Sequence, residues 1–192
     1  MNEYFESIIL EQTGASSFSK KEVIQGLWSG YGEIVRITLE NAATGSIVAK
    51  HVRLPIATNH PRGWNSDIGH ERKVKSYQVE KKWYETYSRL STARLPHCLA
   101  IQTLEDEVLI VLEDLNVAGY PLRKTTVIWD DVAICLAWLA KFHASYMGQT
   151  PEGLWPIGTY WHLDTRPKEL AALNDQKLRE AAPDIDRVLN NC

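Results

Sequence analysis

One lysine and one glutamate in this chain have the residue type and setting that point to chemistry. In Ser46-Ile47-Val48-Ala49-Lys50-His51-Val52-Arg53, strand side chains alternate between faces, so Lys50 shares an otherwise apolar face with Val48, Val52 and Leu54. A lysine pointing inward needs an anion, either a carboxylate of the same chain or a bound phosphate. The alternative is an edge strand from which the ammonium snorkels to water. Over residues 70–88 the spacing predicts a helix on which Tyr77, Trp83, Tyr84 and Tyr87 fall within about a third of the circumference, with Glu80 at the centre. Lys75, Gln78, Lys82, Glu85 and Thr86 occupy the opposite side. Glu80 is then the carboxylate that Lys50 requires, or else a partly solvated acid at the margin of an aromatic cluster. Lys73 shares the arc and competes for Glu80, although seven residues is too far for direct contact on a straight helix.

The elements that must position this pair follow from pattern. Residues 1–25 read as a helical or irregular lead-in, with Ser19 as a helix start before Lys20-Lys21-Glu22-Val23-Ile24. Gly26, Gly30 and Gly32 space a turn, after which Val35, Ile37 and Leu39 alternate with Arg36, Thr38 and Glu40 in a half-buried strand. The turn at 41–45 leads into the lysine strand, so 26–54 is expected to be a β-hairpin preceded by a glycine-rich turn. A loop is expected over 55–69. Residues 96–104 and 108–112 form a second hairpin, which runs into a linker at 113–121 where glycine and proline break the pattern. The lobe boundary is expected near residue 119, giving a lead-in at 1–25, one lobe at 26–118 and a second, partial lobe at 119–192. In the second lobe the helix over 129–147 is apolar nearly all round and is expected to be buried. An aromatic loop over 151–167 and one or two helices over 169–190, interrupted at Pro183, follow.

Composition narrows the class. The 192 residues carry a formal net charge of −3, with 44% apolar and 23% charged residues, the mix of an ordinary globular protein with no basic run for nucleic acid. The first sixteen residues carry Glu3, Glu6 and Glu11 where a secretory signal has a basic region and an apolar core. The apolar run 132–140 is far short of the ~20 residues that span a bilayer. Cys98, Cys135 and Cys192 are unclustered and odd in number, which argues against a disulfide framework or a zinc site. A cytoplasmic location, with no membrane or nucleic-acid partner, is the expectation.

The order of glycine turn, lysine strand, glutamate helix, second hairpin, acidic linker and apolar helix resembles the ATP-binding lobe of the protein-kinase-like fold. It is closest to the choline-kinase and aminoglycoside-phosphotransferase group, which includes the ecdysteroid-kinase-like members. Val48-Ala49-Lys50-His51-Val52, the run from Tyr77 to Tyr84, Leu109 to Leu115 and Leu139 to Ala144 carry the likeness. It implies an α+β fold: a kinase-like N-lobe of antiparallel sheet plus helix, followed by an incomplete helical C-lobe. By the same resemblance Lys50 holds the α and β phosphates of ATP and pairs with Glu80. Main-chain groups from Glu113 to Leu115 hydrogen-bond the adenine, and the turn at Gly30 and Gly32 covers the phosphates. Gly30-Tyr31-Gly32-Glu33-Ile34-Val35 lacks the third glycine of the family's loop.

In that family the base and the magnesium ligands come from a His-Gly-Asp-(four residues)-Asn loop and a later aspartate. Neither occurs in residues 120–192. The chain is therefore expected to be the N-terminal part of an ATP- and magnesium-dependent kinase for a small-molecule alcohol, cut off before its catalytic loop and inactive alone. The alternative is a non-catalytic nucleotide-binding or interaction module, with self-association through exposed C-lobe surface in either case. Asp164, beside His162, lacks the neighbouring asparagine of a catalytic loop. His143 reads as a hydrogen-bonded core histidine, and Asp130 and Asp131 as helix-capping residues. The aromatic loop over 153–162 either lines a substrate pocket or packs on itself.

Overall fold

A computed structural model describes residues 1–54, 67–157, 162, 167–172, 174–176 and 179–183. Helix α1 (Glu3–Thr13) begins where Asn2 Oδ1 accepts the Phe5 N–H at 2.9 Å and ends at Gly14 in the left-handed region. Five strands follow: β1 (Ser17–Gly26), β2 (Gly32–Glu40), β3 (Ser46–Arg53), β4 (Cys98–Leu104) and β5 (Glu107–Glu113). They form one antiparallel sheet in the order β1-β2-β3-β5-β4. Helix α2 (Asp67–Lys82) runs into a π-helical turn (Trp83–Tyr87) and a short 3-10 turn (Ser88–Leu90). Helix α3 (Trp129–Tyr146) and helix α4 (Pro167–Ala172) come last, with Pro167 at the first helical position, where its missing N–H has no partner to lose. The expected α+β architecture, a kinase-like lobe followed by a partial helical region, is what the chain adopts.

The period-two pattern of β2, β3 and β5 gives the sheet two buried faces. One presents Val35, Ile37, Leu39, Ile47, Ala49, Leu109 and Val111 to Phe5 and Ile9 of α1. Phe5 and Ile9 are fully buried, each contributing about 2 kcal/mol. The other face carries the lysine.

Two expectations are corrected. Ser19 starts no helix; it lies inside β1, which pairs with β2 from Ser17 opposite Glu40 to Gly26 opposite Glu33. The lead-in at 1–25 thus supplies α1 and nearly all of an edge strand, and the glycine turn joins β1 to β2. Helix α3 was expected to be buried, yet none of its residues is, and Ile134 and Leu136 are exposed. Its contacts lie along one side: Trp138 Nε1 donates to the Arg94 carbonyl at 2.8 Å, Phe142 meets Trp83, and Ser145 Oγ accepts the Thr92 N–H. The loop expected over 55–69 lies, as far as residue 66, outside the described residues.

Candidate nucleotide site

β3 is the middle strand, not an edge, and its register fixes the setting of Lys50. Ile34 of β2 and Ile110 of β5 flank Lys50, and Ile101 of β4 continues the row. Directly opposed residues in antiparallel strands share a face, so the ammonium leaves a row of isoleucines and must find its partner above the sheet. Lys50 Nζ lies 2.5 Å from Glu80 Oε2 and 5.3 Å from the centre of the Tyr77 ring. The two side chains retain 16% and 32% of their exposure, so the pair is partly shielded and still reached by solvent. Lys73, the competing cation, lies 4.5 Å from the centre of the Tyr31 ring instead.

The aromatic stripe of α2 divides in two. Tyr77 faces the sheet, packed on Tyr31. Beyond Lys82 the π turn redirects the chain, so that Trp83 meets Phe142 and Tyr87 is buried with its hydroxyl donating to the Glu152 carbonyl at 2.9 Å. Burial and the nearby Glu80 charge push the Tyr77 hydroxyl up to about 12, so it remains a neutral donor beside the ion pair.

The glycine turn closes on β3. The Leu27 N–H donates to the Gly32 carbonyl at 2.8 Å, and the Arg53 N–H donates to the Tyr31 carbonyl at 2.9 Å. Gly32 has φ +123°, and a Cβ there would lie 2.0 Å from the His51 carbonyl oxygen. Only glycine permits that approach. Gly30, at φ +74°, faces open space.

At the far end of β5, Glu113 accepts from Arg94 at 2.7 Å and from the His97 N–H at 3.0 Å. The Glu113 N–H donates to the His97 carbonyl, and the Leu115 carbonyl accepts the Tyr120 N–H at 2.8 Å. Those two main-chain groups are therefore engaged within the protein. Lys50 and Glu80 meet between β3 and α2, Gly32 pairs with Val52 at the end of β3, Gly30 lies in the preceding turn, and Glu113 and Leu115 mark the linker beyond the Val48 row.

Sequence reasoning missed the polar network that ties the linker to the sheet. Asp114, 2% exposed, accepts from Arg36 Nε and Ser46 Oγ, both at 2.7 Å, and from the Asn116 N–H at 3.0 Å. Burial raises its pKa, but those donors and the Arg36 charge outweigh burial and hold the carboxyl below its ordinary value. Arg36 stands opposite Val48, on the face of Lys50. It also missed His51, buried beneath Phe5 on the opposite face, with Nε2 2.7 Å from Glu107 Oε2. The only signals were polar residues breaking apolar strand runs, and their partners lie 78, 68 and 56 residues away.

Other candidates resolve as follows. His143 is exposed on α3 beside Phe142, not a core histidine. Asp131 accepts the Ile128 N–H and the Lys124 ammonium at the start of α3, the capping use expected of it. Asp164 and most of the loop over 158–166 lie outside the described residues, as do 190–192. Among the described residues, no group of three or more His, Cys, Asp or Glu side chains could hold a metal ion, and no helix is long and apolar enough to cross a membrane. Cys98 and Cys135 are free thiols.

A five-stranded antiparallel sheet whose central lysine pairs with a glutamate on the following helix defines a protein-kinase-like lobe. The family model of the ecdysteroid kinase-like family matches residues 34–150, more than half of the chain, and the protein belongs to that family of kinase-like proteins. No curated protein and no solved structure matches the chain.

Proposed function

We propose that this chain binds Mg-ATP as the nucleotide-holding part of a kinase that passes a phosphoryl group to the hydroxyl of a small molecule. The observation that carries this reading is the Lys50–Glu80 pair, which joins the middle strand to α2 and is only partly shielded from solvent. A point charge held in place by a carboxylate draws phosphate oxygens without having to reorganise when they arrive. Lys50 is the contact to the α and β phosphates, and Glu80 fixes its position. Gly30 and Gly32 bring backbone close to the phosphates, and main-chain groups among Glu113 to Leu115 meet the adenine edge. The nucleotide lobe ends near residue 118.

Phosphoryl transfer needs a base at the acceptor hydroxyl and metal ligands at the phosphates. The Lys50–Glu80 pair supports the nucleotide contact, whereas no group of metal ligands occurs among the described residues, so this reading assigns binding to the chain and not the transfer step. Displacement of a fluorescent ATP analogue tests the reading. ATP and ADP should displace it far better than adenosine, because the phosphates carry the contact to Lys50, and equal displacement by adenosine would remove Lys50 from the account.

A second reading, an interaction module without catalysis, is favoured by the apolar surface that α3 presents. Trp129, Leu136 and the adjoining Met147 are exposed and share one side of the helix, the kind of patch through which copies associate.

A further inference from the structure

Tyr31 stands between the glycine turn and helix α2. Its ring is 3% exposed although it lies at the tip of a turn, where a large side chain usually meets solvent. Its hydroxyl lies 2.7 Å from His70 Nδ1, in the first turn of α2. Its ring rests against His70 and Tyr77, with centroids 5.9 Å away in both cases, and Tyr77 in turn lies under the Lys50 ammonium. The Tyr31 carbonyl accepts from Arg53, just past the lysine on β3. Burial raises the Tyr31 pKa, so the hydroxyl keeps its proton and can donate to or accept from the ring nitrogen according to the histidine tautomer.

We propose that Tyr31 and His70 are positioning residues for the phosphate site, latching the glycine turn to the start of α2 so that the turn and the Lys50–Glu80 pair hold one shared geometry. The inference rests on the nucleotide reading above. Ten residues separate His70 from Glu80, about 15 Å along a helix. The latch and the ion pair therefore pin α2 to the sheet at two separate points, which fixes both its tilt and its rotation. Without the latch, the Arg53–Tyr31 main-chain bond still holds the turn to β3 and Lys81 still reaches Thr103 of β4, but the first turn of α2 loses its hydrogen bond to the glycine turn. The aromatic contacts from Tyr31 through Tyr77 to Lys50 join the two points by packed side chains.

The test compares Tyr31→Phe, His70→Leu and His70→Asn with the natural chain, measuring Mg-ATP and adenosine affinity by calorimetry and amide exchange by mass spectrometry. Tyr31→Phe keeps the ring contacts and loses the hydrogen bond, so it and His70→Leu should weaken Mg-ATP binding about fivefold, the worth of one partly buried hydrogen bond. Adenosine, which does not reach the phosphate region, should bind them as it binds the natural chain. His70→Asn places an amide oxygen near the former Nδ1 and should restore most of the Mg-ATP affinity. Exchange should rise in both the glycine turn and the first turns of α2 in Tyr31→Phe and His70→Leu. Unchanged Mg-ATP affinity in those two variants, equal losses for adenosine, or faster exchange in the turn without α2 would each overturn the latch. If the natural chain binds no Mg-ATP while exchange still rises in turn and helix together, the nucleotide reading fails and the mechanical coupling stands.

Discussion

Lys50 Nζ sits 2.5 Å from Glu80 Oε2, joining the middle strand of the sheet to the helix above it. Each residue alone would be costly where it is: the lysine leaves an isoleucine row and the glutamate lies next to Tyr77 and Tyr84, both of whose hydroxyls are pushed up to about 12, first by burial and then by the Glu80 charge. A double-mutant cycle over Lys50→Met and Glu80→Gln should give a coupling of about 1 kcal/mol in urea denaturation, the scale of a half-shielded ion pair. A coupling near zero would mean that the pair contributes nothing beyond its hydrocarbon.

Asp114 is the second anchor. Replacing it with alanine leaves Arg36 and Ser46 without their shared acceptor and should cost about 3 kcal/mol, read as a lower urea midpoint at unchanged slope. A midpoint within experimental scatter of the natural chain's would show the network to be dispensable.

Acid should find the same network. Asp114 and Glu113 both have folded pKa values below their ordinary ones; at Glu113 burial raises the value, and the hydrogen bonds from Arg94 and His97 more than offset it. A depressed carboxyl stabilises the fold fully above its unfolded value of about 4 and loses that contribution as pH falls through the folded value. Stability should therefore decline below about pH 4, and Asp114→Ala should show a shallower decline than the natural chain. Parallel curves would assign the acid sensitivity to other groups.

The two glycines of the turn should behave differently. At Gly30 a methyl group meets open space, and the strain of φ +74° alone should cost about 1 kcal/mol. At Gly32 the methyl would also collide with the His51 carbonyl, so Gly32→Ala should cost about 3 kcal/mol or more. Thermal denaturation of both variants checks the order, and a Gly32 variant as stable as the Gly30 one would contradict the close approach.

The exposed side of α3 predicts association. Sedimentation at rising concentration should show self-association of the natural chain, reduced by the paired change Leu136→Glu and Met147→Lys, which lie along that side. A monomer at all concentrations would end the interaction reading of that surface.

Much of this site was legible in the sequence because it rests on short-range periodicity. Two-residue alternation marks Lys50 as the odd member of its face, and the helical period centres Glu80 in its aromatic arc. What escaped was set at long range. β1 carries Lys20, Lys21 and Glu22 because it is an edge strand exposed along most of its length, and charges on an edge guard against pairing with other chains. In sequence that same run, following Ser19, looks like the start of a helix. Helix α3 misled in the other direction: an apolar circumference predicts burial, but the contacts of α3 cover one side only. The Asp114 network joins residues of three segments, and no local pattern pairs them.

The measurement that bears most directly on the account is a calorimetric titration of Mg-ATP into the natural chain and into Lys50→Ala. Saturable one-to-one binding by the natural chain, weakened at least about tenfold in the variant, a loss of about 1.4 kcal/mol, is the predicted result. Equal affinity in the two proteins would contradict it, because the ammonium held by Glu80 would then have no part in holding the nucleotide.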